Sequence, residues 1–164
     1  MAEGEFALMQ QHLEAALKID LVSSATLSSG LYRYYALLVE AAAQQRDPVL
    51  LRKYAALAEE SATSIDNKLH MAIAYRAWGV AHTLAAEYSQ AEAHFNKALE
   101  IFTSYPAPWQ IGRTLFEMGE LARLQMEREQ ASDYYSRALI AFEELHAAPY
   151  AALSRAALEN VSRG

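Results

Sequence analysis

The sequence predicts an all-α fold, an α-solenoid of stacked antiparallel helix pairs with about eight helices. Three observations predict it. Apolar residues recur at helical spacing in one segment after another. No segment shows sustained period-2 alternation rich in β-branched residues. The chain also repeats itself at a fixed interval of 40 residues. With 164 residues, 53% of them hydrophobic and 21% charged, there is material for an ordered core.

The first helix is read at residues 5–20, where Phe6, Met9, Leu13, Ala16 and Leu17 are spaced to share one face. Residues 22–30, VSSATLSSG, read as a loop by their Ser, Thr and Gly content, which leaves that helix the most loosely attached element. Residues 31–44 are helical in pattern, and Asp47-Pro48 then supplies an N-cap and a proline at the first helical position, opening a helix over 48–62. Asp66 and Asn67 interrupt it. The next helix runs over 68–85, a turn follows at 87–89, and a further helix continues to about 103. The segment SYPAP at 104–108 stops that helix, because proline restricts its predecessor and cannot continue a helix. Residues 109–125 and 129–145 form the next pair, and Pro149 opens a last short helix through 161. These elements compose a single domain over 1–164: a half-repeat helix at 5–20, a degenerate repeat at 31–63, repeats at 68–104 and 108–146, and a capping helix at 149–161.

Sliding the chain by 40 residues brings Ala58, Ala98 and Ala138 into register, with Gly79 on Gly119 and Ala91 on Ala131, and a second such step sets Tyr54 on Tyr134. One hairpin cannot bury its apolar face alone, so a fixed two-helix period signifies stacking. Residues 75–102 are the most legible hairpin and the middle unit of three. The small residues at 79, 91, 98, 119, 131 and 138 let helix axes approach to ~8 Å. A large side chain at Gly79 or Ala98 should overpack its crossing at a cost of about 1–3 kcal/mol.

The run Tyr75-x2-Trp78-Gly79-x2-His82, followed by Ala91-x3-Phe95 and Ala98, resembles the tetratricopeptide repeat. Leu115-x2-Met118-Gly119-x2-Ala122, followed by Ala131-x3-Tyr135 and Ala138, is similar. The unit at 35–58 is degenerate, with Val39 where the glycine would sit and Leu51 where the small alanine would. The period is 40 residues, against about 34 in the usual repeat. Long-period versions resemble the helical sensor arrays of large LuxR-type transcription activators and related bacterial signalling proteins. The resemblance implies a right-handed solenoid and a non-enzymatic scaffold or adaptor, the sensor or regulatory part of a bacterial signalling system, holding a protein or peptide segment in a concave groove.

By that family pattern the groove-facing residues of the central unit are Ile73, Arg76, Val80 and Thr83. Their counterparts are Arg33, Ala36, Glu40 and Ala43 before it, and Arg113, Phe116, Glu120 and Arg123 after it. Four arginines stand against two glutamates in this set, so the groove is expected to be locally basic and to favour acidic groups on the partner. The opposing expectation is that the glutamates neutralise the arginines on a merely solvated surface. An alternative role is structural, a homo-oligomer assembled through the terminal helices.

Other chemistries are disfavoured. A net charge of −6 opposes nucleic-acid and anionic-membrane partners. There is no cysteine, hence no disulfide, thiolate metal site or thiol nucleophile. The opening MAEGEF is acidic, unlike a signal peptide, and no stretch is apolar enough to span a bilayer, so a cytoplasmic location is expected. His70, His82 and His94 recur every twelve residues, but twelve residues of one helix span ~18 Å, too far for shared ligation; no metal or cofactor is expected. Ser132 and Ser154 have no partnered base in evidence, and Glu59-Glu60 and Glu143-Glu144 fall on solvent faces, so no enzymatic activity is expected. Among Tyr32, Tyr34 and Tyr35, helical geometry turns one or two to the core and leaves one exposed.

Overall fold

The computed structural model describes residues 3–23 and 31–163, and among the described residues there are eight helices and no strand. They are α1 (Glu3–Ser23), α2 (Leu31–Gln44), α3 (Pro48–Ser64), α4 (Lys68–Leu84), α5 (Tyr88–Ser104), α6 (Pro108–Leu124), α7 (Arg128–Glu144) and α8 (Ala148–Arg163). The fold is all-α and solenoid-like in its succession of helices. It divides into two compact units, 1–87 with α1–α4 and 88–164 with α5–α8.

The repeat is finer than the 40-residue interval. Helices α3 through α7 are each 17 residues long, and α3 through α8 begin every twenty residues, from 48 to 148. The turns between them are three residues each, so the excess over the usual period of about 34 lies in the helices. Each turn closes with the same hydrogen bond, from the amide after the turn apex back to the third-last helical carbonyl: Asp47 to Ala42, Asn67 to Ala62, Glu87 to His82, Ala107 to Phe102, Glu127 to Ala122 and Ala147 to Phe142, at 2.8–3.2 Å. This Schellman-type closure usually takes a left-handed residue, most often glycine. Here Arg46, Asp66, Ala86, Met126 and His146 supply it with φ between 51° and 64°. Pro106 occupies the corresponding place in the α5–α6 turn, where its ring fixes φ near −65°.

These non-glycine apices carry a steric cost of about 1–2 kcal/mol each, part of which glycine's looser unfolded chain offsets. Ala86→Gly is therefore expected to stabilise the protein by about 0.5–1 kcal/mol, read as a higher midpoint in urea unfolding. An unchanged or lower midpoint would refute the strain.

Several boundaries differ from the sequence reading. Helix α1 is longer than 5–20 and takes in residues 22 and 23 of the expected loop; residues 24–30 and the side chain of Phe6 lie outside the described residues. Pro108 opens α6 in place of ending a stop signal, its missing N–H costing nothing in the first turn. The turn expected at 87–89 falls at 85–87, since α5 begins at Tyr88. Asp47 caps α3 as expected, its carboxylate accepting from the amides of Val49 and Leu50 at 2.9 and 3.0 Å, and Asn67 caps α4 through the His70 amide.

In the first unit, Leu38 and Val39 of α2, Leu51, Tyr54, Ala55 and Ala58 of α3 and Ala74 and Ala77 of α4 are buried. Helix α1 lies against α2. It is tied down by Gln45 donating to Gln10 at 2.9 Å, by the Tyr54 hydroxyl on Glu14, and by Lys53 at 3.8 Å from the same carboxylate. In the second unit Leu115, Ala138, Phe142 and Ala151 form one cluster and Ala122, Ala131 and Tyr135 another. Helices α6 and α7 cross so closely that a Cβ at Gly119 would stand 2.6 Å from the Tyr135 ring, and one at Gly112 3.0 Å from Phe142. The motif's pairing of a small residue with an aromatic thus has a direct cause. Ser154 is fully buried, and its hydroxyl has no hydrogen-bond partner among the described residues.

Candidate functional site

The residues expected to line a groove separate by burial into two classes. Ile73, Arg76, Val80 and Thr83 of α4 are buried, Val80 to 1% exposure, as is Arg113 of α6. This corrects their reading as surface residues. Helix α4 packs on both α2 and α3, so most of its circumference is interior, and Thr83 spends its hydroxyl on the Gly79 carbonyl at 2.9 Å. Ala36 and Ala43 are likewise buried. Glu40, Phe116 and Glu120 are half-buried, whereas Arg33 and Arg123 are exposed.

In the first unit one of the expected groove charges is internal. Arg76, 4% exposed, donates to Glu40 across the α2–α4 contact. That pair answers the basic-groove expectation in part, since one arginine is spent on one glutamate. Arg33 has no carboxylate partner among the described residues. It lies one helical turn before Leu37, which is 49% exposed, and Glu40 follows on the same face. Leu37 was missed in the sequence, although its i+4 spacing from Arg33 was available.

Beside this face the ring of His70 meets Tyr32 edge-on, with centroids 4.4 Å apart, and its Nδ1 lies 3.1 Å from Asn67 Oδ1. Burial first, and the Arg33 guanidinium second, lower the His70 pKa below its ordinary 6.5. The folded protein therefore binds fewer protons here than the unfolded chain, so stability is complete above pH 6.5 and falls as pH drops from there through the folded-state value. An NMR titration should place the His70 midpoint below 6.5, and Arg33→Gln should raise it while leaving it below 6.5. A midpoint at or above 6.5 would contradict this environment. Tyr35 is buried, and Tyr32 and Tyr34 are half-buried, so none of the three is the exposed tyrosine expected. Burial, then Glu60, raises the Tyr35 phenol above its usual value.

On another side of α4, Trp78 donates from Nε1 to Glu59 at 2.9 Å and stacks on His82 at 5.8 Å. His82 Nδ1 contacts Glu87 at 2.5 Å, and Glu87 also holds Arg52 at 2.9 Å. Hydrogen bonds from His82 and then Arg52 lower the Glu87 pKa. The face shared by Trp78 and His82 is thus a polar clasp onto α3, and Glu59 is one of its acceptors instead of a purely solvated carboxylate. Among the described residues no group of three or more His, Asp or Glu could hold a metal ion.

In the second unit Arg113 lies over the Tyr150 ring at 5.3 Å and reaches its hydroxyl at 3.5 Å. Glu120 Oε1 accepts from the Tyr135 hydroxyl at 2.6 Å, and its Oε2 accepts from Arg123 at 2.9 Å. Burial, and then the bond to Glu120, raise the Tyr135 phenol well above its usual value. The buried end of this triad anchors Glu120, and Glu120 in turn fixes the direction of the exposed Arg123. Arg123 borders a cavity of about 380 Å³ whose other walls are Leu124, Met126, Arg128, Ala131, Asn160 and Val161.

No protein-family model and no curated protein matches the chain. Among solved structures it is similar to aspartyl phosphate phosphatase F from Bacillus subtilis, with a TM-score of 0.70 and 21% identity over 79% of this chain and 34% of that one. It is also similar to BtubC (BKLC) from P. vanneervenii, with a TM-score of 0.66 and 16% identity over 98% of this chain and 73% of that one. At these identities the likeness shows the fold, an all-helical repeat. The chain spans about a third of the length of the phosphatase it matches. Among the described residues no helix is long and apolar enough to cross a membrane.

Proposed function

We propose that the chain is a non-enzymatic scaffold that binds an acidic protein or peptide segment on the exposed faces of its first-in-pair helices. One observation carries the reading. Of the four arginines on those helices that the family pattern singled out, Arg76 and Arg113 are consumed inside the units, while Arg33 and Arg123 project into solvent. Each exposed guanidinium lies beside an exposed leucine, Leu37 and Leu124 respectively, which gives an amphipathic target both a charge and an apolar contact. The phosphatase activity in the name of one structural neighbour belongs to that protein. The proposal takes from it only the helical repeat, and places the scaffold in the cytoplasm within a bacterial signalling system, as the resemblance to long-period sensor arrays suggests.

The test is a peptide array probed with the wild type and with Arg33→Glu, Arg123→Glu. Both positions are exposed, so the fold should hold; Arg33→Glu should fall within about 0.5 kcal/mol of the wild type, and Arg123→Glu, which sets a second carboxylate beside Glu120, should cost about 1 kcal/mol. Acidic-apolar peptides should be retained by the wild type and lost by the double variant. Full retention would remove these faces from the reading.

A second reading, self-assembly through the terminal helices, is favoured by the exposure of Leu8 on α1 and Leu153 on α8. Sedimentation at high protein concentration would show a dimer or larger species if it holds, and a monomer if it does not.

A further inference from the structure

The cavity bordered by Arg123 at the α6–α7–α8 end of the second unit has not been absorbed by the repeat's core, and its lining is two-faced. Leu124, Met126, Ala131 and Val161 supply apolar walls, while Arg123, Arg128 and Asn160 supply donors. Its volume of about 380 Å³ falls in the lower part of the range for ligand clefts, roughly 300–1,000 Å³. Met126, 84% exposed, stands at its mouth on a left-handed turn residue, and an unbranched thioether there can adapt to different apolar partners.

The two arginines differ in a way that points to an acidic ligand. Arg123 is held from behind by Glu120, itself anchored by the buried Tyr135 hydroxyl, so it is pre-aimed and partly neutralised. Arg128 has no carboxylate partner among the described residues. It is also the first residue of α7, where the positive end of the helix dipole disfavours a cation. Its neighbours Glu127 and Glu129 moderate the local charge without pairing with it. A cation kept against the helix field, unpaired and at the rim of an apolar cavity, contributes nothing evident to the fold.

We infer that this cavity is a specificity pocket for one apolar side chain of a partner peptide, with Arg128 and Arg123 gripping an adjacent carboxylate. The inference rests on the scaffold reading and names the second unit's share of it: the apolar side chain enters between Leu124 and Val161, and the carboxylate accepts from the guanidinium fork of Arg128.

The experiment uses the full chain, labelled with nitrogen-15, and two capped dipeptides, N-acetyl-Leu-Glu-amide and its neutral counterpart N-acetyl-Leu-Gln-amide. Saturable amide shifts are expected at residues 124–131 and 158–162, with the neutral dipeptide at least about tenfold weaker. Arg128→Glu should abolish the shifts while raising the thermal midpoint, because it places an acid at the helix start; a merely structural arginine would lower the midpoint. Equal affinity for the two dipeptides, unchanged binding by Arg128→Glu, or no saturable shift at these residues would overturn the pocket. Shifts confined to α2 around Arg33 would overturn the pocket and leave the scaffold reading standing. Loss of acidic-peptide capture by the whole protein would remove both.

Discussion

Gly119→Ala should destabilise the second unit by about 2–3 kcal/mol, the upper part of the range for overpacking a core. The added methyl would stand 2.6 Å from two atoms of the Tyr135 ring. That ring cannot retreat easily: it is fully buried between α6 and α7, and its hydroxyl is fastened to Glu120. Either the helices separate or the Tyr135–Glu120–Arg123 chain breaks. Gly112→Ala meets Phe142 at 3.0 Å, a contact a few tenths of an ångström of movement relieves, so its cost should be smaller, about 1 kcal/mol. Urea unfolding of both variants checks the order. Equal midpoints for Gly119→Ala and the wild type would show that the α6–α7 crossing is not as tight as described.

Arg76→Ala should cost about 2–3 kcal/mol, whereas Arg33→Ala should fall within about 0.5 kcal/mol of the wild type. Both arginines were assigned to the same face by the repeat pattern. Arg76 is buried and bonded to Glu40 across the α2–α4 contact, so its removal leaves a carboxylate three-quarters enclosed without its cation. The expected cost is below that of a fully buried pair because Glu40 keeps 25% of its side-chain exposure. A double-mutant cycle with Glu40→Gln should return a large part of the loss as coupling. A small effect of Arg76→Ala would place that arginine back among the ligand-facing residues.

The contrast between those arginines marks where the sequence was legible. Helical period and the capping Asp47 are local properties of short segments, and both are found where the residues imply them. The twenty-residue step was obscured because the turns carry no common residue: arginine, aspartate, alanine, methionine and histidine all adopt the left-handed apex, and proline replaces it once. Backbone hydrogen bonding imposes that geometry, and no side chain announces it.

The candidate site was legible only as a list of positions. Whether an arginine at such a position faces water or a glutamate depends on neighbours 36 residues away in the chain, as for Arg76 and Glu40, and on how much of a helix its flanking helices cover. Arg113 illustrates the same point: Tyr150, from the last helix, takes its guanidinium. The cavity beside Arg123 needs α6, α7 and α8 together, and no spacing within one helix could have disclosed it.

The central claim is that exposed arginines recognise an acidic partner segment while buried ones hold the fold. Chemical-shift mapping with a capped acidic-apolar peptide, such as alternating leucine and glutamate, tests it most directly. The account predicts saturable shifts at residues 33–40 of α2 and 116–124 of α6, lost from each helix when its own arginine, Arg33 or Arg123, is changed to glutamate. Shifts that survive both substitutions, or that fall on α5 and on residues 134–144 of α7 instead, would contradict it.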